Sequence, residues 1–144
     1  MKKIFLFLVL GLFVIACGGD KKKKTSTNDG KGYGDTKNVV LNDPLNQEMV
    51  ANGKAIYELK CAACHKLSAK RVVGPGWAGL TDKRKPEWIM NMITNVDIML
   101  EKDPAAQKLL EECLTRMPNQ NVSVKDARDI VEFIFQNDID QKNK

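Results

Sequence analysis

The chain has 144 residues, a formal net charge of +5 and four cysteines. That length suits a single domain. The charge is unevenly placed: residues 45–140 carry 13 Lys/Arg against 14 Asp/Glu, so the body of the chain is near neutral and its high pI argues for no nucleic-acid partner.

Lys2 and Lys3 precede an apolar run of 13 residues, Ile4 to Ala16. A membrane span needs about 20 residues, so the run reads as the hydrophobic region of a secretory signal. It ends Val14-Ile15-Ala16-Cys17-Gly18, which resembles the lipobox of bacterial lipoproteins. Residues 1–16 are therefore expected to be a lipoprotein signal peptide, with Cys17 lipidated. An ordinary small-residue cleavage site with an incidental cysteine is the other reading. Residues 17–42 include the run Lys21 to Lys24 and are polar and glycine-rich. Such a segment buries little apolar surface and reads as a flexible lipid-anchored tether.

The domain is expected over 43–140. Asp43-Pro44 reads as a helix start, a capping carboxylate followed by proline. Leu45, Met49, Gly53, Ile56 and Tyr57 then recur at helical spacing. Gly53 costs about 1 kcal/mol in a helix interior, which suggests another helix crossing closely. The helix leads into Cys61-Ala62-Ala63-Cys64-His65. This is the C-x-x-C-H attachment pattern for a c-type haem. Two thiols three residues apart reach the two vinyl groups on one porphyrin edge, and the following imidazole is carried to the iron. A redox disulfide, a structural disulfide, or a zinc site shared with Cys113 are the competing readings. A redox disulfide would call for a βαβ pattern, which is lacking. The adjacency of His65 to Cys64 argues against zinc.

Val72 to Trp77 reads as a tight loop lining the proximal side. Six basic residues from Lys66 to Lys85 stand against Asp82 alone, a candidate docking patch or simply a solvated loop. Pro86 opens a second helix with Trp88, Ile89, Met92 and Ile93 on one side, and Asp103-Pro104 caps a third. Cys113 falls in step with Leu109, Leu110 and Leu114, where a free cysteine acts as a small hydrophobe. A loop over 115–121 carries Met117-Pro118. Ser123 with Asp126 approximates a capping box for the last helix, with Ile130, Val131, Phe133 and Ile134 on its apolar side. The chain is expected to fray from Asp138, and 141–144 is a polar tail.

Residues 44–137 resemble a class I monohaem cytochrome c, in order and type: G-x-x-x-Y before C-x-x-C-H, a Gly-Pro loop, Met-Pro in a loop and an amphipathic last helix. The resemblance implies an all-α cytochrome c-like fold of about four helices around one covalent haem c. It implies that Gly53 and Tyr57 pack against Ile130 and Phe133, and that the Pro75 carbonyl accepts a hydrogen bond from His65. The middle, 94–116, is longer than in the shortest members. Arg71, Trp77 and Trp88 are candidate donors to the haem propionates, packing being the other role for both tryptophans.

The sixth iron ligand can be argued from the residues. His65 is the only histidine. Met90, Met92 and Met99 sit on or just after a helix, where packing accounts for them. Met117 lies in a loop with chain enough to reach the far haem face, with Met99 next in order. With both axial positions filled, such an iron moves electrons and does little bond chemistry. The expected function is single-electron transfer outside the cytoplasm by a monomer. The donor would be a membrane quinol-oxidising complex, and the acceptor a terminal oxidase or periplasmic reductase such as nitrous-oxide reductase. A haem enzyme (peroxidase or nitrite reductase) or a gas sensor with a labile Met117 are the rival classes.

Overall fold

A computed structural model describes residues 29–144. The expected signal peptide, Cys17 and the Lys21 to Lys24 run lie outside the described residues. The described chain is helical and contains no strand, with six helices: α1 Gln47–Lys60, α2 Leu80–Lys83, α3 Pro86–Thr94, α4 Val96–Lys102, α5 Pro104–Cys113 and α6 Val124–Lys142. The all-α expectation holds, with six helices in place of about four. The additional two are short, and neither has the several turns needed for a periodic signal.

α1 and α6 form the frame. Gly53 lies against the α6 backbone, where a side chain would overlap the Asp129 carbonyl. The missing Cβ is what lets the two helices touch. One turn along α1, the Tyr57 ring sits 5.5 Å from that of Phe133, while Ile130, Val131 and Ile134 are fully buried. Burial of each such side chain contributes about 1.5–3 kcal/mol.

Three boundaries differ from the sequence reading. α1 begins at Gln47, capped by the Asn46 side chain, which accepts from the Glu48 and Met49 N–H groups; Asp43-Pro44 lies ahead of it in a cis peptide. At the other end, α6 runs on to Lys142 instead of fraying from Asp138. Asp138 is buried because its carboxylate accepts from the Gly79 N–H, the Thr81 N–H and the Thr81 hydroxyl, fixing the start of α2.

The third difference concerns residues 29–42, expected as the end of a free tether. They form a strap on the face of α3 that carries Glu87 and Asn91. Asn91, fully buried, donates to the Lys31 and Thr36 carbonyls and accepts from the Thr36 N–H. Glu87 accepts from the Val39 N–H, and Glu132 from the Asn42 N–H. Tyr33, Val39 and Leu41 pack on the core. Gly32, at φ +74°, approaches so closely that a Cβ would collide with Met99. The strap is held mainly through its backbone by polar groups of other elements, which is why its composition reads as a linker.

Candidate haem site

The haem-attachment segment sits on the turn that ends α1. Its backbone is tightly wound: the Cys64 and His65 N–H groups both return to the Cys61 carbonyl. The Tyr57 hydroxyl donates to the His65 carbonyl at 2.8 Å. No disulfide joins Cys61, Cys64 and Cys113. Burial pushes the pKa of the Cys61 thiol up to about 11.

His65 is fixed from several sides. Its Nδ1 lies 2.8 Å from the Pro75 carbonyl oxygen. A carbonyl can only accept, so Nδ1 carries the proton and Nε2 keeps its lone pair for a metal. Trp77 lies with its ring centroid 5.6 Å from the imidazole, and a Cβ on Gly74 would overlap that ring. Burial lowers the His65 pKa, opposed by the bond to Pro75, so the neutral, ligating form is favoured. The sequence places Gly74 and Trp77 in a loop lining the proximal side, with Trp77 a candidate propionate donor; their part in holding the ring depends on a loop closure that residue types do not reveal.

Cys64 and His65 open onto a cavity of about 350 Å³. α3 contributes Trp88, Ile89, Met92 and Ile93, α5 contributes Leu109, Leu110 and Cys113, and α6 contributes Ile134. Met117 and Pro118 also line it. Cys61 is buried in the core and is not one of the lining residues. Met99 is fully buried elsewhere, its sulfur accepting from the Tyr33 N–H at 3.0 Å. Met90 is also buried and faces the strap side. Met92, read as a packing residue, shares the cavity with Met117, as does half-buried Cys113.

Two candidate propionate donors are engaged with other groups. Trp88 donates its indole N–H to Asp103, which also caps α5. Arg71 is bound to Glu112. Trp77 packs on Tyr57 as well as His65, with ring centroids 4.9 Å apart in the Tyr57 pair. The basic cluster is divided too: Lys66 binds the Ala62 carbonyl, Lys85 binds the Asp29 carbonyl of the strap, and Arg84 lies over the Trp88 ring. Among the described residues no group of three or more His, Cys, Asp or Glu side chains converges as a metal site.

An apolar slot with Cys64 and a ligating imidazole at its wall, and Cys61 on the same tight turn just behind them, is the architecture of a domain that holds c-type haem covalently. The donor set fits that group: two thiols at the required spacing, an imidazole with Nε2 free, and a lining almost without charge. The cytochrome c family model matches residues 50–138, and the chain belongs to the cytochrome c family. The family binds haem covalently, and Cys61 and Cys64 stand in its attachment pattern; haem-based electron transfer follows from membership. The fold is similar to that of cytochrome c from Rhodothermus marinus, at 30% identity and a TM-score of 0.73, covering 75% of this chain and 92% of that one. It is also similar to an engineered Rhodothermus marinus cytochrome c bound to a carbene intermediate, at 30% identity and a TM-score of 0.68, over 74% of this chain and 91% of that one. A cytochrome c domain from Pseudomonas putida shares the fold, at 24% identity and a TM-score of 0.56, over 63% of this chain and 92% of that one. No curated protein matches the sequence.

Proposed function

We propose that this protein is a monomeric single-electron carrier outside the cytoplasm, with His65 and Met117 as axial iron ligands and a lipid on Cys17. The observation that carries the ligand assignment is that Met117 lines the same cavity as His65 from a loop, whereas Met92 lines it from within α3 and Met90 and Met99 do not line it. When bound, haem c supplies a one-electron iron couple, and a thioether ligand favours its reduced form. The chain's own residues do the rest. Pro75 holds the proton on Nδ1 and thereby the ring orientation, as outer partners of metal-bound histidines do. The apolar lining excludes water and keeps the charge change in a low-dielectric slot.

The donor in this reading is a membrane quinol-oxidising complex. The acceptor is a terminal oxidase or a periplasmic reductase, nitrous-oxide reductase being one candidate. No helix among the described residues is long and apolar enough to cross a membrane; in this reading the attachment is the lipid on Cys17. With the strap docked, only residues 18–28 separate Cys17 from the domain, a reach of at most about 40 Å when extended. Such a leash favours partners close to the membrane surface.

Spectra of the purified holoprotein test the carrier reading. Six-coordinate low-spin iron in both oxidation states is expected. A ferrous form that binds carbon monoxide freely would favour a gas-binding or enzymatic role instead. Membrane fractionation of Cys17→Ser tests the anchor: a mature variant bound as firmly as wild type would remove it.

A further inference from the structure

The Met117 segment is tied back to the wall that carries His65. Arg71 pairs with His65 in an isolated antiparallel bridge. Its guanidinium reaches across to the last turn of α5, donating from Nη1 to the Glu112 carbonyl at 2.7 Å and from Nη2 to Glu112 Oε2 at 3.0 Å. Cys113, next to Glu112, and Val73, two residues beyond Arg71, line the cavity, so the pair joins two segments that line it. Beyond Met117, Lys60 donates to the Gln120 carbonyl at 3.0 Å. Lys60 immediately precedes Cys61. Residues 113–119 are thus bracketed, each end fastened to the haem-attachment wall.

We propose that Arg71 is a positioning residue that latches the Met117 segment over the cavity and slows entry of exogenous ligands to the iron. The inference rests on the haem occupying this cavity, as in the function proposed above. Arg71 and Glu112 are 43% and 42% exposed, and an exposed ion pair alone contributes little. The bond to the Glu112 carbonyl adds to it. Carbonyls of a helix's last turn lack partners within the helix and carry its negative dipole end, and α5 ends there because Leu114 adopts a left-handed conformation at φ 56°. Arg71 therefore caps α5 as well as pairing with Glu112. An opening motion that carries the end of α5 along with the segment must break both bonds.

The test measures azide binding to the ferric holoprotein. Arg71→Ala should accelerate it about two- to fivefold, the range an exposed pair of this kind permits. Glu112→Gln should do less, because the carbonyl bond survives, and Arg71→Lys should recover part of the wild-type rate. The double variant should be no faster than Arg71→Ala alone. Asp82→Asn breaks the Lys142–Asp82 pair, which is 59% and 57% exposed and joins α2 to α6, not to α5 or the Met117 segment; it should leave the rate unchanged. Equal rates in wild type and Arg71→Ala, or equal acceleration by Asp82→Asn, would overturn the latch. Resting wild-type spectra report separately on Met117: an open iron there refutes the ligand assignment, while the ratio of variant to wild-type rates still decides the latch.

Discussion

The Nδ1–H of His65 donates to the Pro75 carbonyl at 2.8 Å, ten residues further along the chain. The loop that makes this possible turns back so tightly that the Gly74 N–H reaches the Cys64 carbonyl. The backbone thereby fixes the orientation of the imidazole.

That closure makes Gly74 sensitive. Gly74→Ala places a methyl in the His65 ring, so either the ring or the loop must shift. Overpacking of this kind costs about 1–3 kcal/mol. The expected result is a lower urea midpoint together with an altered low-spin signal in electron paramagnetic resonance. A variant with wild-type spectrum and midpoint would show that the loop yields freely.

Met117→Ala should open the ferric iron to azide or cyanide and the ferrous iron to carbon monoxide, and lower the potential. Met99→Ala should spare the ligand field and act as a core truncation costing about 2–5 kcal/mol, since Met99 is fully buried. The weak thioether-to-iron charge-transfer band separates the two. Its survival in Met117→Ala and loss in Met99→Ala would reverse the assignment.

The strap gives a stability prediction. Asn91→Ala removes a side chain bonded at three points to the backbone of residues 31–36. Unsatisfied buried groups cost about 1–3 kcal/mol each, so a loss of at least that size is expected in urea unfolding. Amide exchange should rise across 31–36 while α1 remains protected. If exchange in the strap is already fast in wild type, the strap is not docked in solution.

The strap should also respond to acid. Burial would raise the pKa of Glu132, but the hydrogen bonds from Asn42 and Arg128 outweigh it and hold the carboxyl below its ordinary value. The native state therefore binds fewer protons here than the unfolded chain. Its stabilising contribution is full above the ordinary Glu range, about pH 4.3, and is lost as pH falls through the folded value. Glu132→Gln should be less stable than wild type at pH 7, and the gap should narrow in acid. A gap that stays constant down to pH 3, about a unit below that range, would mean that Glu132 is not the titrating group.

Much of the site was legible in the residues themselves, because covalent haem attachment is local chemistry. Cys61, Cys64 and His65 must be adjacent to act together, so their spacing is enough. Helices capped by Asp103 and Ser123 were legible for a similar reason, since a cap and its helix share a few consecutive residues. Gly53 was legible because a glycine inside an otherwise periodic helix calls for a close neighbour.

What tertiary structure decided were contacts between residues far apart in sequence whose individual types carry no signal. Residues 29–42 look like a linker because their backbone is bonded by Asn91, Glu87 and Glu132, which stand 48–90 positions away. Asp138 looks like the start of a frayed tail until its carboxylate meets Gly79 and Thr81 across the fold. Arg71 looks like one cation of a basic patch, or a donor to a propionate, until it is seen bound to Glu112. Hydrophobic periodicity records which side of a helix is buried; it does not record which distant backbone a buried amide or carboxylate is there to satisfy.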